Sequence, residues 1–273
     1  MSLFRILSPS FSFQVLPVLR VIYTTTEQNS HHIYMSLIIL LILTEDDYFN
    51  KIIHEIKLKK LGWYTDRSVN EINLGGLLIT IVLRTIQMNL ARMRDKYLHT
   101  NCLAALANMS SQFQHLDTYV AQRIISLFNL LTRKHSRILE LIQQHSQREH
   151  TASATTITSN LQTLASNDEI LNECIQDLSM MEEVMRMVLE ILNSCLTHTL
   201  TSNSNLVYAL LYNRDLFENY RAHPNFQDVL QNLETVIKTD RLTSKRCFTL
   251  TNFRSLHFLV KKSISYNNVR QKA

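Results

Sequence analysis

Apolar residues recur along this chain at the three-and-four spacing of helices, not in the strict alternation of half-buried strands. The longest case lies between Asp117 and Gln147. There Val120, Ile124, Leu127, Leu131, Ile138 and Ile142 step by 4, 3, 4, 7 and 4 and hold one face over six turns. A second row, Ile125, Phe128 and Leu139, widens that face and predicts neighbours on two sides, with Asp117 as the N-cap. The pattern returns over Cys174–Leu196, where Ile175, Leu178, Met181, Met185, Val188, Leu189, Leu192 and Leu196 share a face. Glu182 and Arg186 stand four apart on that helix and predict a surface ion pair.

Two other segments are apolar on every side. Ile33–Leu43 reads IYMSLIILLIL and predicts a fully buried core helix. As a helix it covers roughly 16 Å, about half the hydrocarbon thickness of a bilayer. Leu74–Ala91 is a strong helix whose apolar run ends at Arg84. Shorter patterns predict helices over Phe13–Tyr23, with Pro17 near its start, and over Lys96–Met109, capped by Asp95. Thr44-x-x-Asp47 has the form of a capping box for a helix through Ile56. Lys57–Gly62 reads as a basic turn and Trp63–Ile72 as another short helix. Asn205–Tyr212, Asp215–Arg221 and Pro224–Ile237 complete the set, with Pro224 at the first helical position.

Composition strengthens the helical reading. Three glycines and three prolines in 273 residues leave little material for the tight turns of sheets or wound α/β folds. The expected fold is all-α and soluble. Within CLAALANMS, Ala104, Ala105 and Ala107 let a neighbouring helix approach closely, which suits stacked helix pairs. With no clean sequence period, the expected architecture is an irregular armadillo/HEAT-like solenoid or a helical-repeat bundle. The organisation predicted is a divergent leader (1–12), a helical repeat region (13–147), a Ser/Thr-rich linker (148–173), a second helical region (174–237) and a divergent, disordered basic tail (238–273).

The net charge of +5 is unevenly placed. Lys238–Ala273 holds nine Lys or Arg and one acidic residue, a balance of +8, which leaves the rest of the chain at −3. A nucleic-acid-binding fold therefore loses its support, and the basic character belongs to the tail. Cys102, Cys174, Cys195 and Cys247 form no CxxC pair, and the expectation is free thiols in a reducing compartment such as the cytosol. Ser8-Pro9-Ser10, Gln14, Pro17 and Arg20 interrupt any apolar core of a secretory signal.

Candidate chemistry is sparse. Asp46 and Asp47, with His54 nearby, are better read as helix-capping acids than as a catalytic pair. The eleven histidines show no metal-ligand spacing: His54-Glu55 lacks the second histidine of a zinc-protease helix, and His31-His32 lacks a partner. No G-x-S-x-G or glycine-rich phosphate loop is present. Met180, Met181, Met185 and Met187 suit core packing more than a peptide groove, with Met180 and Met187 leaning outward. Asn108-Met109-Ser110 matches a glycosylation acceptor but falls inside a helix. No catalytic residue, cofactor site or metal site is assigned, and the chain reads as a non-enzyme.

Several ordered strings carry a resemblance. HHIYMSLIILLILTEDD (His31–Asp47), RDKYLHTNCLAALANMS (Arg94–Ser110), AQRIISLF (Ala121–Phe128), NLVYALLY (Asn205–Tyr212), RDLFE (Arg214–Glu218) and HP-x-FQD (His223–Asp228) resemble the carboxy-terminal part of the dymeclin family. The likeness runs from about Phe13 to Ile237. It implies a large, helix-rich, armadillo-like protein that cycles between cytosol and Golgi as a peripheral membrane protein. Such a protein serves Golgi organisation and vesicle trafficking, and bone development in vertebrates. The partners implied are proteins at the Golgi surface, with no nucleic acid and no membrane span. Ser2 stands where the family carries a glycine suited to myristoylation, and the sequence departs from the family after Ile237. Both departures, with the missing amino-terminal half, read as a truncated isoform or an unspliced reading frame at both ends. The alternative function is that of a helical protein binding lipid or nucleic acid through its basic tail, where Phe248, Phe253, Phe258 and Tyr266 lie among the cations.

Overall fold

The computed structural model describes residues 11–24, 30–59, 61–66, 71–92, 95–152 and 161–243. Among these residues the protein is all-α apart from one two-stranded ribbon. The helices are α1 (Phe11–Thr24), α2 (Ser30–Thr44), α3 (Asp47–Glu55), α4 (Leu74–Arg92), α5 (Lys96–Ser110), α6 (Thr118–Ala152), α7 (Leu161–Thr199), α8 (Ser204–Tyr212), α9 (Arg214–Glu218) and α10 (Gln227–Thr243). A 3-10 turn, Leu200–Ser202, joins α7 to α8.

The centre of the molecule is α4. It packs against α1, α3, α5 and α6, and 78% of its Leu74–Ala91 stretch is buried. By length and composition this stretch would suffice to cross a membrane, yet its apolar sides are filled by neighbouring helices. Arg84, the charge that interrupts it, is fully employed. Its guanidinium pairs with Asp66 at 3.2 Å, donates to the Tyr23 carbonyl and lies 4.4 Å from the centre of the Tyr23 ring. α5 is sandwiched among α2, α4 and α7; of the three alanines expected to admit a neighbouring helix, Ala105 is buried, Ala104 is half-buried and Ala107 is exposed. α7 contacts α5, α6 and α10, so it joins the amino-terminal helices to the carboxy-terminal ones.

Asp95 and Asp117 cap their helices as expected. Asp95 accepts from the Leu98 amide at 3.2 Å and Asp117 from the Tyr119 amide at 2.8 Å. Before α3 the cap is Asp46, not Thr44: its carboxylate takes the amides of Tyr48 and Phe49, while the Thr44 hydroxyl turns back to the Leu41 carbonyl. An ionised acceptor next to the first turn outcompetes a hydroxyl two residues earlier. Pro224 lies in the turn before α10 and not at its first position.

The region between α3 and α4 differs from its sequence reading. Lys57–Lys59 (β1) and Glu71–Asn73 (β2) pair antiparallel, with Leu58 opposite Ile72, so the basic turn and the helix expected over Trp63–Ile72 give way to a ribbon. Tyr23 anchors its far end: the phenol accepts the amides of Thr65 and Asp66, and its ring packs on Trp63 and Tyr64. Burying Ile72 beside α3 and α4, and packing Trp63 and Tyr64 on Tyr23 of α1, outweighs weak local helix propensity.

The stretch expected as a linker holds helix at both ends, since α6 runs to Ala152 and α7 begins at Leu161; residues 153–160 lie outside the described set. α10 reaches Thr243, and the remainder of the basic tail and the first ten residues of the leader likewise lie outside it. On α6 burial ends near His135, and Leu139 and Leu141 are exposed. On α7 the face is buried from Met181 onward, joined by Val184 and Ile191, whereas Ile175 is half exposed. Met180 and Met187 pack at the core margin.

Candidate functional site

Two places stand out once the helices are assembled. The first is the outer side of α2. Ile33, Leu37 and Leu40 face inward, but Met35, Ile38, Ile39 and Ile42 form an exposed stripe in which Met35 is 60% and Ile42 59% accessible. The sequence reading of a fully buried helix is corrected here: α2 rests on α1, α3 and α5, which cover one side only. An all-apolar string shows that no side is polar, not that every side has a neighbour. Exposed Tyr97 of α5 lies beside this helix, its ring edge-on to Tyr34 at 5.8 Å.

The second place is a polar junction among α6, α7 and the turn before α10. His135 lies on the inward phase of α6, four residues after Leu131, and is 2% exposed. Glu182 projects from α7 and His223 from the turn preceding α10. Nε2 of His135 and Nε2 of His223 lie 3.4 and 3.5 Å from the same carboxylate oxygen, Glu182 Oε1. The other oxygen, Oε2, accepts from the Asn225 side-chain amide at 2.6 Å. Behind His135, the Tyr220 hydroxyl sits 3.3 Å from Nδ1 and donates to the Thr132 carbonyl at 3.3 Å. Burial holds the His135 imidazole below the usual histidine range, against the pull of the Glu182 carboxylate.

Arg186, one turn along α7, extends the junction. It pairs with Glu190 at 2.9 Å and with Asp228 of α10 at 2.9 Å, and it reaches the Asn225 carbonyl. The expected Glu182–Arg186 pair is thus replaced: each side chain finds a partner on another element. The Arg186 guanidinium holds the Asp228 carboxyl below its ordinary range. Aromatic rings wall the site, with His223 stacked on Phe226 at 4.4 Å and Phe128 on Phe217 at 4.8 Å.

The other residues weighed in the sequence disperse. Asp46 caps α3, Asp47 is exposed in its first turn, and His54 is buried at the far end of that helix against Phe113 and Gly75. Burial pushes the His54 imidazole down to about 4. Asn108 donates to Thr44 and Ser110 to Ser194 inside the helix packing. Cys102 and Cys195 are buried free thiols, and Cys174 is a half-buried one; burial pushes Cys195 up to about 12. Cys247 lies outside the described residues. Sequence reading missed the junction because His135 and Glu182 are 47 residues apart and share no motif. The available signal was a histidine on the buried phase of α6, where an apolar residue is the norm.

The assembled features define an all-helical protein whose surfaces are packed helix faces. A family model described as "Dymeclin: Dyggve-Melchior-Clausen syndrome protein" matches residues 12–241, and the chain belongs to that family. It is 58% identical to dymeclin of Gallus gallus over 223 residues, which cover 82% of this chain and 31% of that protein. Dymeclin of Drosophila melanogaster is 53% identical over the same length, and that of Dictyostelium discoideum 26% over 274 residues. The chain spans about a third of the length of these curated relatives. No solved structure matches it.

Proposed function

We propose that this chain acts as a non-enzymatic helical scaffold of the dymeclin type, holding proteins together on the cytosolic face of the Golgi during vesicle trafficking. In vertebrate relatives the same role would bear on bone development. The observation that carries the reading is the apolar stripe of α2 on a chain of this family. Four large aliphatic side chains in a row on one helix face are a contact surface in need of a cover. The cover proposed is an amphipathic helix of a partner protein, whose i, i+3 and i+4 anchors match the spacing of Met35, Ile38, Ile39 and Ile42.

Fractionation of cells expressing the tagged chain tests the location. The reading expects a share of it with Golgi membranes, released by salt or carbonate as a peripheral protein is. A chain found wholly in the cytosol, or pelleting independently of Golgi markers, contradicts it. Binding that persists in Met35→Glu/Ile42→Glu but disappears when Lys238–Ala273 is deleted would instead favour the basic-tail reading.

A further inference from the structure

We propose that His135, Glu182 and His223 form a zinc-binding site that clasps α6, α7 and the α9–α10 turn together. The ligand types are those of a zinc centre with two imidazoles, one carboxylate and a fourth position for water. The spacing also fits. Zinc–nitrogen and zinc–oxygen bonds of about 2.0–2.1 Å place neighbouring corners of a tetrahedron about 3.3–3.4 Å apart. The two His–Glu separations are 3.4 and 3.5 Å, and all three ligand atoms lie within 4.8 Å of one another.

The Tyr220 hydroxyl lies 3.3 Å from both the Thr132 carbonyl and His135 Nδ1. With Tyr220 donating to Thr132, Nδ1 carries the ring hydrogen toward the phenol oxygen and Nε2 offers its lone pair to the junction, the tautomer that metal binding requires. With Tyr220 donating to Nδ1, Nε2–H donates to Glu182 Oε1 instead. The Tyr220–His135 contact is the second-sphere bond that orients a metal-binding histidine, and Asn225 plays that part for the free oxygen of Glu182. His223 Nδ1 receives the Asn225 amide at 3.3 Å; coordination through Nε2 moves the ring proton to Nδ1 and releases that long bond. Glu182 and His223 are half-buried, so the junction is reached from solvent.

The test uses the full chain, stripped with chelator and titrated with zinc against a competing chromophoric chelator, with thermal melting followed in parallel. The expected result is one zinc per chain and a melting temperature that rises with zinc and falls back with chelator. Cobalt in place of zinc should give the visible absorption of a tetrahedral site. His223→Gln and Glu182→Gln, both half-buried and so tolerant of replacement, should abolish stoichiometric binding. Tyr220→Phe should weaken it by about 10–100-fold. His198→Gln, an exposed histidine elsewhere on α7, should change nothing. Zinc that fails to bind the folded chain, or binds His223→Gln and Glu182→Gln as well as the parent, overturns the proposal.

Discussion

Helices α2 and α4 look alike in sequence and end in opposite places. Both are strings of Leu and Ile with little polar relief, yet α4 is enclosed by four helices and α2 leaves Met35, Ile38, Ile39 and Ile42 in solvent. Apolarity determines that a helix must be covered; the number of neighbours determines how much of it is. In α4 the cover is internal, and Arg84, the arginine within its apolar stretch, is satisfied by Asp66 and Tyr23. On the outer side of α2 none of the described helices supplies a cover, and that exposed stripe is the observation behind the scaffold proposal.

If this contrast is right, truncation should hurt one helix and spare the other. Leu77→Ala, deep in α4, should cost about 2–5 kcal/mol through lost transfer energy and a residual cavity, read by chemical denaturation. A loss under about 1 kcal/mol would mean that α4 is not the core element. The next effect is one of pH. His54 sits buried between α3 and α4 with both ring nitrogens unpartnered, its pKa lowered to about 4 by burial and secondarily by His115. The neutral ring is favoured in the folded state, so its contribution is intact above the unfolded value of about 6.5. It is lost as the pH falls from there to about 4, by about 3 kcal/mol at most. Denaturation midpoints across that window should drop in the parent and drop less in His54→Leu.

Gly75→Ala probes the same contact sterically. A Cβ on Gly75 would lie 2.5 Å from the His54 ring, so the substitution should cost about 1–3 kcal/mol despite the better helix propensity of alanine. Combining it with His54→Ala should recover part of that loss, since the clash partner is then gone. The smallest effect is expected on α2. Met35→Gln and Ile42→Gln should each change stability by about 0.5 kcal/mol or less, because these side chains are 60% and 59% exposed. A large loss there would show that the stripe is covered within the chain.

Much of the fold was readable from periodicity. α5, α6 and α8 begin within a residue of where the spacing puts them, and Asp95 and Asp117 cap as expected. The sequence was silent wherever the deciding partner lay far away. The β1–β2 ribbon depends on Tyr23 binding Thr65 and Asp66, more than forty residues along the chain. Asn203, buried just before α8, looks like an ordinary loop residue, yet it takes the Leu116 amide and donates to the Phe113 carbonyl. The His135–Glu182–His223 junction draws on three separate elements, so no local motif announces it.

The scaffold role requires α2 to be a contact face and not a misplaced core helix. The direct measurement is to compare the parent with Met35→Glu/Ile42→Glu in thermal unfolding by circular dichroism and, with the same two proteins, in Golgi co-fractionation. An unchanged melting temperature together with loss of the Golgi-associated share is the predicted result. A variant that unfolds at a markedly lower temperature, or one that folds normally and still travels with the Golgi, would contradict it.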